Sequence, residues 1–215
     1  MEEYHKIKTV FKRDPETRFK TLIYGEYALS EFEYLKDNEW VFTEKVDGTN
    51  IRVMWDSGTK KRRFGGKTER AEIPVHLLGQ LQEMFFVQRF EQLFPETSMC
   101  LYGEGYGLKI QKGGKYISDA SSFVLFDVKI NEWWLQRYDV EDIAFKLGID
   151  VVPVVGLGSL KDMVALVRTP FNSKWGMFEA EGIVARPNIE LKARNGNRII
   201  TKIKCKDFPN GTDAV

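Results

Sequence analysis

Apolar residues alternate with polar ones over several short stretches of this chain and recur at helical spacing over others. Residues 39–55, "EWVFTEKVDGTNIRVMW", hold two apolar-rich runs that flank Asp47-Gly48. That dipeptide is a strong tight-turn signal, so the pattern predicts a hairpin turning on it. "DSGTKKRRFGG" follows and reads as a second turn with a basic strand. Residues 75–94 place Leu78, Leu81 and Phe85 at helical spacing. Strands are predicted at about 99–104, 122–129 and 132–138. Asp139 opens a capped helix that Gly148 stops, and Ser159 with Asp162 forms a capping box for a later one. "DVVPVVG" reads as a short strand, and "EGIVARP" and "RIITKIKCK" supply the closing strands. Strands dominate and helices are irregularly interspersed, which favours an α+β fold with antiparallel sheets.

Composition narrows the class. The chain has 215 residues, of which 43% are hydrophobic, enough for a sizeable core in one domain. The net charge of +1 sets up no global field for nucleic acid, so any polyanion must meet a local patch. Lys60, Lys61, Arg62 and Arg63 are the obvious one. Two cysteines, Cys100 and Cys205, fit a reducing, cytoplasmic compartment better than a stapled secreted fold. The two histidines, His5 and His76, stand apart from any cysteine pattern, which argues against zinc. No leader and no apolar run of about 18 residues is present, so no membrane role is expected. The Asn210-Gly211-Thr212 sequon reads as a chance match without a secretory signal.

The chemistry begins where the pattern breaks a local rule. Glu44, Lys45 and Asp47 are poor strand formers placed inside a strand-like run. "FGGKT" (64–68) carries the Gly-Lys-Thr of a phosphate-binding loop, but the first glycine of that motif would fall on Lys61, so the motif is incomplete. "GEGYG" (103–107) lacks dinucleotide-fingerprint spacing. Lys45-Val46-Asp47-Gly48 has three fixed positions, a match that average composition produces by chance in about one chain in twenty of this length. It becomes informative only with support elsewhere. As a lysine nucleophile toward a nucleotide α-phosphorus, Lys45 would have to react neutral. For an ordinary lysine near pKa 10.4 that costs roughly 4–5 kcal/mol at pH 7, and neighbouring cations, desolvation or a metal lower the cost. Lys202, Lys204 and Lys206 fall two apart in "RIITKIKCK" and would share a strand face opposite Ile203 and Cys205. Glu104 and Glu181 sit at strand ends as acids with no evident partner, and carboxylates facing phosphates usually hold Mg²⁺ between them. Phe126 interrupts an apolar strand as either core or a base-stacking platform.

In order, "EKVDGTN", "LYGEGYG", "FVLFDV", "EGIVAR" and "KIK" resemble the motifs of the covalent nucleotidyltransferases, the polynucleotide ligases and mRNA capping enzymes. The resemblance covers about residues 40–208. It is greatest to the ATP-dependent RNA ligases that include the phage nick-sealing enzymes. It implies a single antiparallel-sheet nucleotidyltransferase (adenylation) domain over 1–215, without the OB-fold or helical clamp domain that follows in related ligases.

Further roles are implied by the same resemblance. Lys45 would carry AMP, Glu44 would contact the adenine, and Phe126 would stack on it. Asp47 and Gly48 complete the nucleotide motif, and Asn50 would lie near the ribose. Glu104 would hold the ribose and, with Glu181, serve Mg²⁺ or Mn²⁺. Lys202 and Lys204 would grip the AMP phosphate. Family members usually have arginine after the first hairpin; here Lys67 stands at that place, with Arg70 three residues on. The implied activity is ATP-dependent sealing of RNA ends or nicked duplexes in the cytoplasm of a phage-infected or bacterial cell, with a partner protein or a homo-oligomer as a source of extra grip. A small DNA ligase would share every motif, a capping guanylyltransferase would share Lys-x-Asp-Gly, and a non-catalytic nucleotide-sensing or RNA-binding module could keep the fold.

Overall fold

The computed structural model describes residues 3–169 and 171–208; the Asn210 sequon lies outside them. The chain forms two interleaved compact units. One takes the chain up to His5 and then Val46–Val152, and the other takes Lys6–Lys45 and the chain from Pro153 onward.

In the first unit a sheet runs in the order Asp150–Val151, Ser121–Ile130, Met99–Gly107, Thr49–Asp56, Lys61–Gly65, with Trp133–Trp134 paired to Ser121–Ile130. All pairs are antiparallel except that between Asp150–Val151 and Ser121–Ile130. Ile51, Val53 and Trp55 alternate onto one face and are fully buried there with Leu101, Phe123 and Leu125. Helices Val75–Met84, Val87–Leu93 and Arg137–Leu147 cover that face through Leu77, Leu81, Phe90 and Ile143. The single helix expected over 75–94 is broken at Phe85-Phe86. The break lets Phe85 pack edge-on to Phe123 at 5.2 Å while Phe90 stacks on Trp55 at 5.4 Å. The 132–138 strand shrinks to Trp133–Trp134, and the next helix starts at Arg137, with Asp139 in its first turn. Gly148 ends that helix in the left-handed conformation, as expected.

In the second unit the sheet order is Lys8–Thr9, Thr201–Lys204, Gly182–Pro187, Trp40–Glu44, Val154–Gly158, and only the Lys8–Thr9 pair is parallel. Trp40, Phe42, Ile183, Ala185 and Ile203 pack under helix Leu160–Arg168. That helix opens with the expected Ser159/Asp162 capping box.

The hairpin expected around Asp47-Gly48 does not form. Trp40–Glu44 pairs with Gly182–Pro187 and Val154–Gly158, whereas Thr49–Asp56 pairs with Lys61–Gly65 and Met99–Gly107. The two strands belong to different sheets because the chain changes unit between Lys45 and Val46. Gly48 is required for a different reason: a Cβ there would lie 2.2 Å from the Gly105 carbonyl oxygen. "DVVPVVG" splits likewise, into Asp150–Val151 and Val154–Gly158, where the chain returns to the second unit.

Candidate active site

Three adjacent strands of the second unit bring Lys45, Glu181 and Lys204 together. The register pairs Ile183 with Glu44 and Gly182 with Lys204, so the end of Trp40–Glu44, the start of Gly182–Pro187 and the end of Thr201–Lys204 coincide. The Lys45 backbone N–H donates to the Gly182 carbonyl at 2.9 Å. Its ammonium donates to Glu181 Oε2, and Lys204 Nζ donates to Glu181 Oε1 at 2.5 Å. All three side chains are mostly buried, Glu181 most of all. Gly182 is held at φ 154°, where a Cβ would lie 2.2 Å from the Ile203 carbonyl oxygen, so this close approach excludes any larger residue.

Lys202 lies two register pairs further along, opposite Val184, on the same face as Lys204, while Ile203 is fully buried on the other face. The expectation for Lys206 fails. The strand stops at Lys204, where the Asp207 carboxylate accepts the Lys204 backbone N–H at 3.1 Å. Lys206 then falls in the short helical turn Cys205–Asp207 and is exposed.

Glu44 is 1% exposed. Its Oε2 accepts the Lys174 backbone N–H at 2.8 Å, while Oε1 has no hydrogen-bond partner among the described residues. Burial raises its pKa, against the opposing pull of the Lys174 N–H and the Ser173 side chain. A buried carboxylate with one unused acceptor is a ready contact for a donor on a ligand.

In the first unit, Asp47 donates its backbone N–H to the Tyr116 hydroxyl at 3.2 Å. Asn50 stands directly opposite Glu104 on the sheet face away from Ile51, and its Oδ1 has no hydrogen-bond partner among the described residues. Phe126, half-buried, occupies a bulge of Ser121–Ile130. Lys67 and Arg70 are exposed in the loop after Lys61–Gly65. A cation the motifs did not flag, Arg52, is fully buried nearby. It donates through Nε to the Gly66 carbonyl at 3.0 Å and through Nη1 to Glu69 at 2.8 Å.

The Lys60–Arg63 patch is partly structural. Lys60 donates to the Pro95 carbonyl, and Arg62 donates to the Phe85 carbonyl and sits 4.5 Å from the Phe64 ring centroid. Burial lowers the Arg62 pKa. Lys61 and Arg63 remain exposed. Sequence reasoning also passed over exposed Lys109, Lys112 and Lys115, whose loop is anchored by buried Ile110. Both cysteines are buried free thiols, each pushed up to about 11 by burial. Among the described residues, no three acidic, histidine or cysteine side chains gather as a metal cluster, and no helix is long and apolar enough to cross a membrane.

Comparison with known families matches residues 38–204 to the RNA ligase family. The chain belongs to that family. Among solved structures, three variants of an RNA ligase from Naegleria gruberi share its fold. One, with ATP and Mn, has a TM-score of 0.68 at 14% identity over 95% of this chain and 56% of that one. A second, also with ATP and Mn, scores 0.66 at 15% identity over 99% and 60%. A third, with AMP and Mn, scores 0.64 at 14% over 94% and 57%. This RNA ligase family chain therefore spans less than two thirds of those chains. The likeness supports the antiparallel α+β nucleotidyltransferase fold read from the sequence.

Proposed function

We propose that this chain is an ATP-dependent RNA ligase working through a lysyl-AMP intermediate. Lys45 Nζ, once deprotonated, forms a P–N bond to the α-phosphorus of ATP as the bond to pyrophosphate breaks. AMP then passes to a 5′-phosphate end, and a 3′-hydroxyl attacks that end and expels AMP. The observation that carries this reading is the sharing of one carboxylate, Glu181, by Lys45 and Lys204. A carboxylate between two ammonium groups occupies a place suited to a phosphate, and an arriving triphosphate can take over both cations. Glu181 would then hold Mg²⁺ or Mn²⁺ together with phosphate oxygens and water, since Mg²⁺ commonly binds through one or two carboxylates plus substrate phosphates. The metal would add positive charge that favours departure of pyrophosphate.

Lys202 and Lys204 are assigned to the AMP phosphate, Glu44 to the adenine and Phe126 to stacking on it. Asn50 and Glu104 are assigned to the ribose, with Glu104 also a candidate second acid for metal. Lys67 and Arg70 are kept as candidate phosphate contacts on their exposure alone. Buried free thiols fit a reducing cytoplasmic setting. A nucleic-acid strand would be held mainly through its backbone, with extra grip from a partner or a second copy.

The test is sealing of nicked duplexes and of single-stranded ends bearing a 5′-phosphate, with RNA or DNA on the 3′-hydroxyl side and ATP or GTP supplied. ATP-dependent sealing that prefers an RNA 3′-hydroxyl is expected. Preference for a DNA 3′-hydroxyl, or use of GTP alone, would overturn it in favour of a DNA ligase or a capping-type transferase.

A further inference from the structure

Strand Ser121–Ile130 is irregular at one point. Tyr102 faces Asp127 and Gly103 faces Leu125, leaving Phe126 unopposed in a bulge. Leu125 and Val128 are both fully buried in the core under the helices, so the bulge turns Phe126 and Asp127 together onto the opposite face. Bulges of this kind re-aim side chains beside functional sites. Two costs come with it. Asp127 is a fully buried carboxylate, which needs hydrogen-bond donors to remain there. Phe126 is a half-buried ring on an irregular stretch of backbone.

One residue from the far end of the sequence addresses both. The Tyr4 hydroxyl, 123 positions away, donates to Asp127 Oδ2 at 2.5 Å. The Tyr4 ring meets Phe126 edge-on, with centroids 5.0 Å apart at 68°. It is in turn boxed by Tyr102 at 5.2 Å and Trp134 at 5.7 Å. Edge-to-face pairs of this kind have preferred geometry, so the Tyr4 ring restricts the orientations open to Phe126 while its hydroxyl secures the neighbouring carboxylate. We infer that Tyr4 is a positioning residue, which holds the Phe126 bulge in the conformation that presents its ring to the purine of ATP. This rests on the reading of Phe126 as the stacking residue.

The experiment measures the rate of lysyl-AMP formation against ATP concentration for the full chain and for Tyr4→Phe, Tyr4→Ala, Phe126→Ala and the Tyr4→Ala/Phe126→Ala double variant, with thermal unfolding in parallel. Tyr4→Ala should raise half-saturating ATP five- to tenfold and leave the maximal rate within twofold. Tyr4→Phe, which keeps the ring, should raise it two- to threefold. Phe126→Ala should raise it at least as much as Tyr4→Ala, and adding Tyr4→Ala to it should change little further. A Phe126 effect with none from Tyr4, independent additive effects, or a fall in maximal rate that tracks lost folding would overturn the positioning role. Unchanged ATP dependence in Phe126→Ala would instead overturn the stacking assignment and the inference with it.

Discussion

Lys45 and Lys204 are bound to opposite oxygens of a single carboxylate, that of Glu181. The neighbouring residue on the same strand, Ile203, points the other way into the core and is fully buried. On the proposed reading, chemistry and folding are separated by one residue. Lys204→Ala should slow adenylylation at least tenfold, the scale of losing a transition-state charge contact, with little change in unfolding temperature. Ile203→Ala should cost about 2–4 kcal/mol of stability while the folded fraction keeps a near-normal rate. Rate measurements alongside thermal unfolding check both, and the reverse pattern would mean that the two faces are misassigned.

Glu44 should impose a pH-dependent cost. Burial raises its folded-state pKa, so the folded state holds the carboxyl proton more tightly than the unfolded state does. The linked stabilisation is present below the unfolded carboxylate range and is lost as pH rises through the folded value. Above that folded value the native state carries a buried charge. Glu44→Gln keeps an acceptor for the Lys174 N–H and should raise unfolding temperature at pH 8, with the gain narrowing toward pH 4.5. The same change should weaken ATP dependence. Equal destabilisation at both pH values would contradict this.

Gly48 and Gly79 should respond in opposite ways to alanine. A Cβ at Gly48 would meet the Gly105 carbonyl oxygen at 2.2 Å, a backbone atom that cannot swing aside, whereas one at Gly79 meets nothing within 4 Å. Gly48→Ala should lower unfolding temperature and depress adenylylation. Gly79→Ala lies within helix Val75–Met84 and should stabilise by about 0.5–1 kcal/mol. Calorimetry of the pair decides the matter.

Much of this was readable from the sequence because it is local. Capping at Ser159/Asp162 and the stop at Gly148 each depend on a few neighbouring residues. The Asp47-Gly48 hairpin failed because a turn signal says nothing about which strands are partners; here the chain leaves one sheet and enters another. Lys206 failed because the Asp207 cap ends the strand two residues early. The resemblance motifs pointed to Lys45, Glu181 and Lys204, which the fold does assemble. Arg52 and Tyr4 were missed because their importance comes from contacts with Glu69 and Asp127, far from them in sequence.

Adenylylation and sealing should separate in salt. Under the proposed function the first would need ATP, metal and side chains such as Lys45 and Lys204, whereas sealing would also need a grip on a polyanion. With a net charge of +1, and with Lys60 and Arg62 engaged by backbone carbonyls, the chain's own grip is expected from exposed cations such as Lys61, Arg63, Lys109 and Lys112. Each phosphate contact adds about 0.9 to the slope of log K against log salt on duplex DNA. Sealing should fall steeply from low to physiological salt while lysyl-AMP formation barely changes. Parallel salt dependence of the two steps would contradict this.

The most direct measurement is covalent labelling with α-labelled ATP and Mg²⁺, resolved on a denaturing gel, for the parent and for Lys45→Ala. The parent should carry label that acid releases, as expected of a P–N bond, and γ-labelled ATP should leave none. Lys45→Ala should fold, because alanine keeps the backbone N–H bond to the Gly182 carbonyl and Lys204 still pairs with Glu181, and should take no label. Undiminished labelling of Lys45→Ala, or an unlabelled parent with intact ATP binding, would contradict a lysyl-AMP ligase built on this residue.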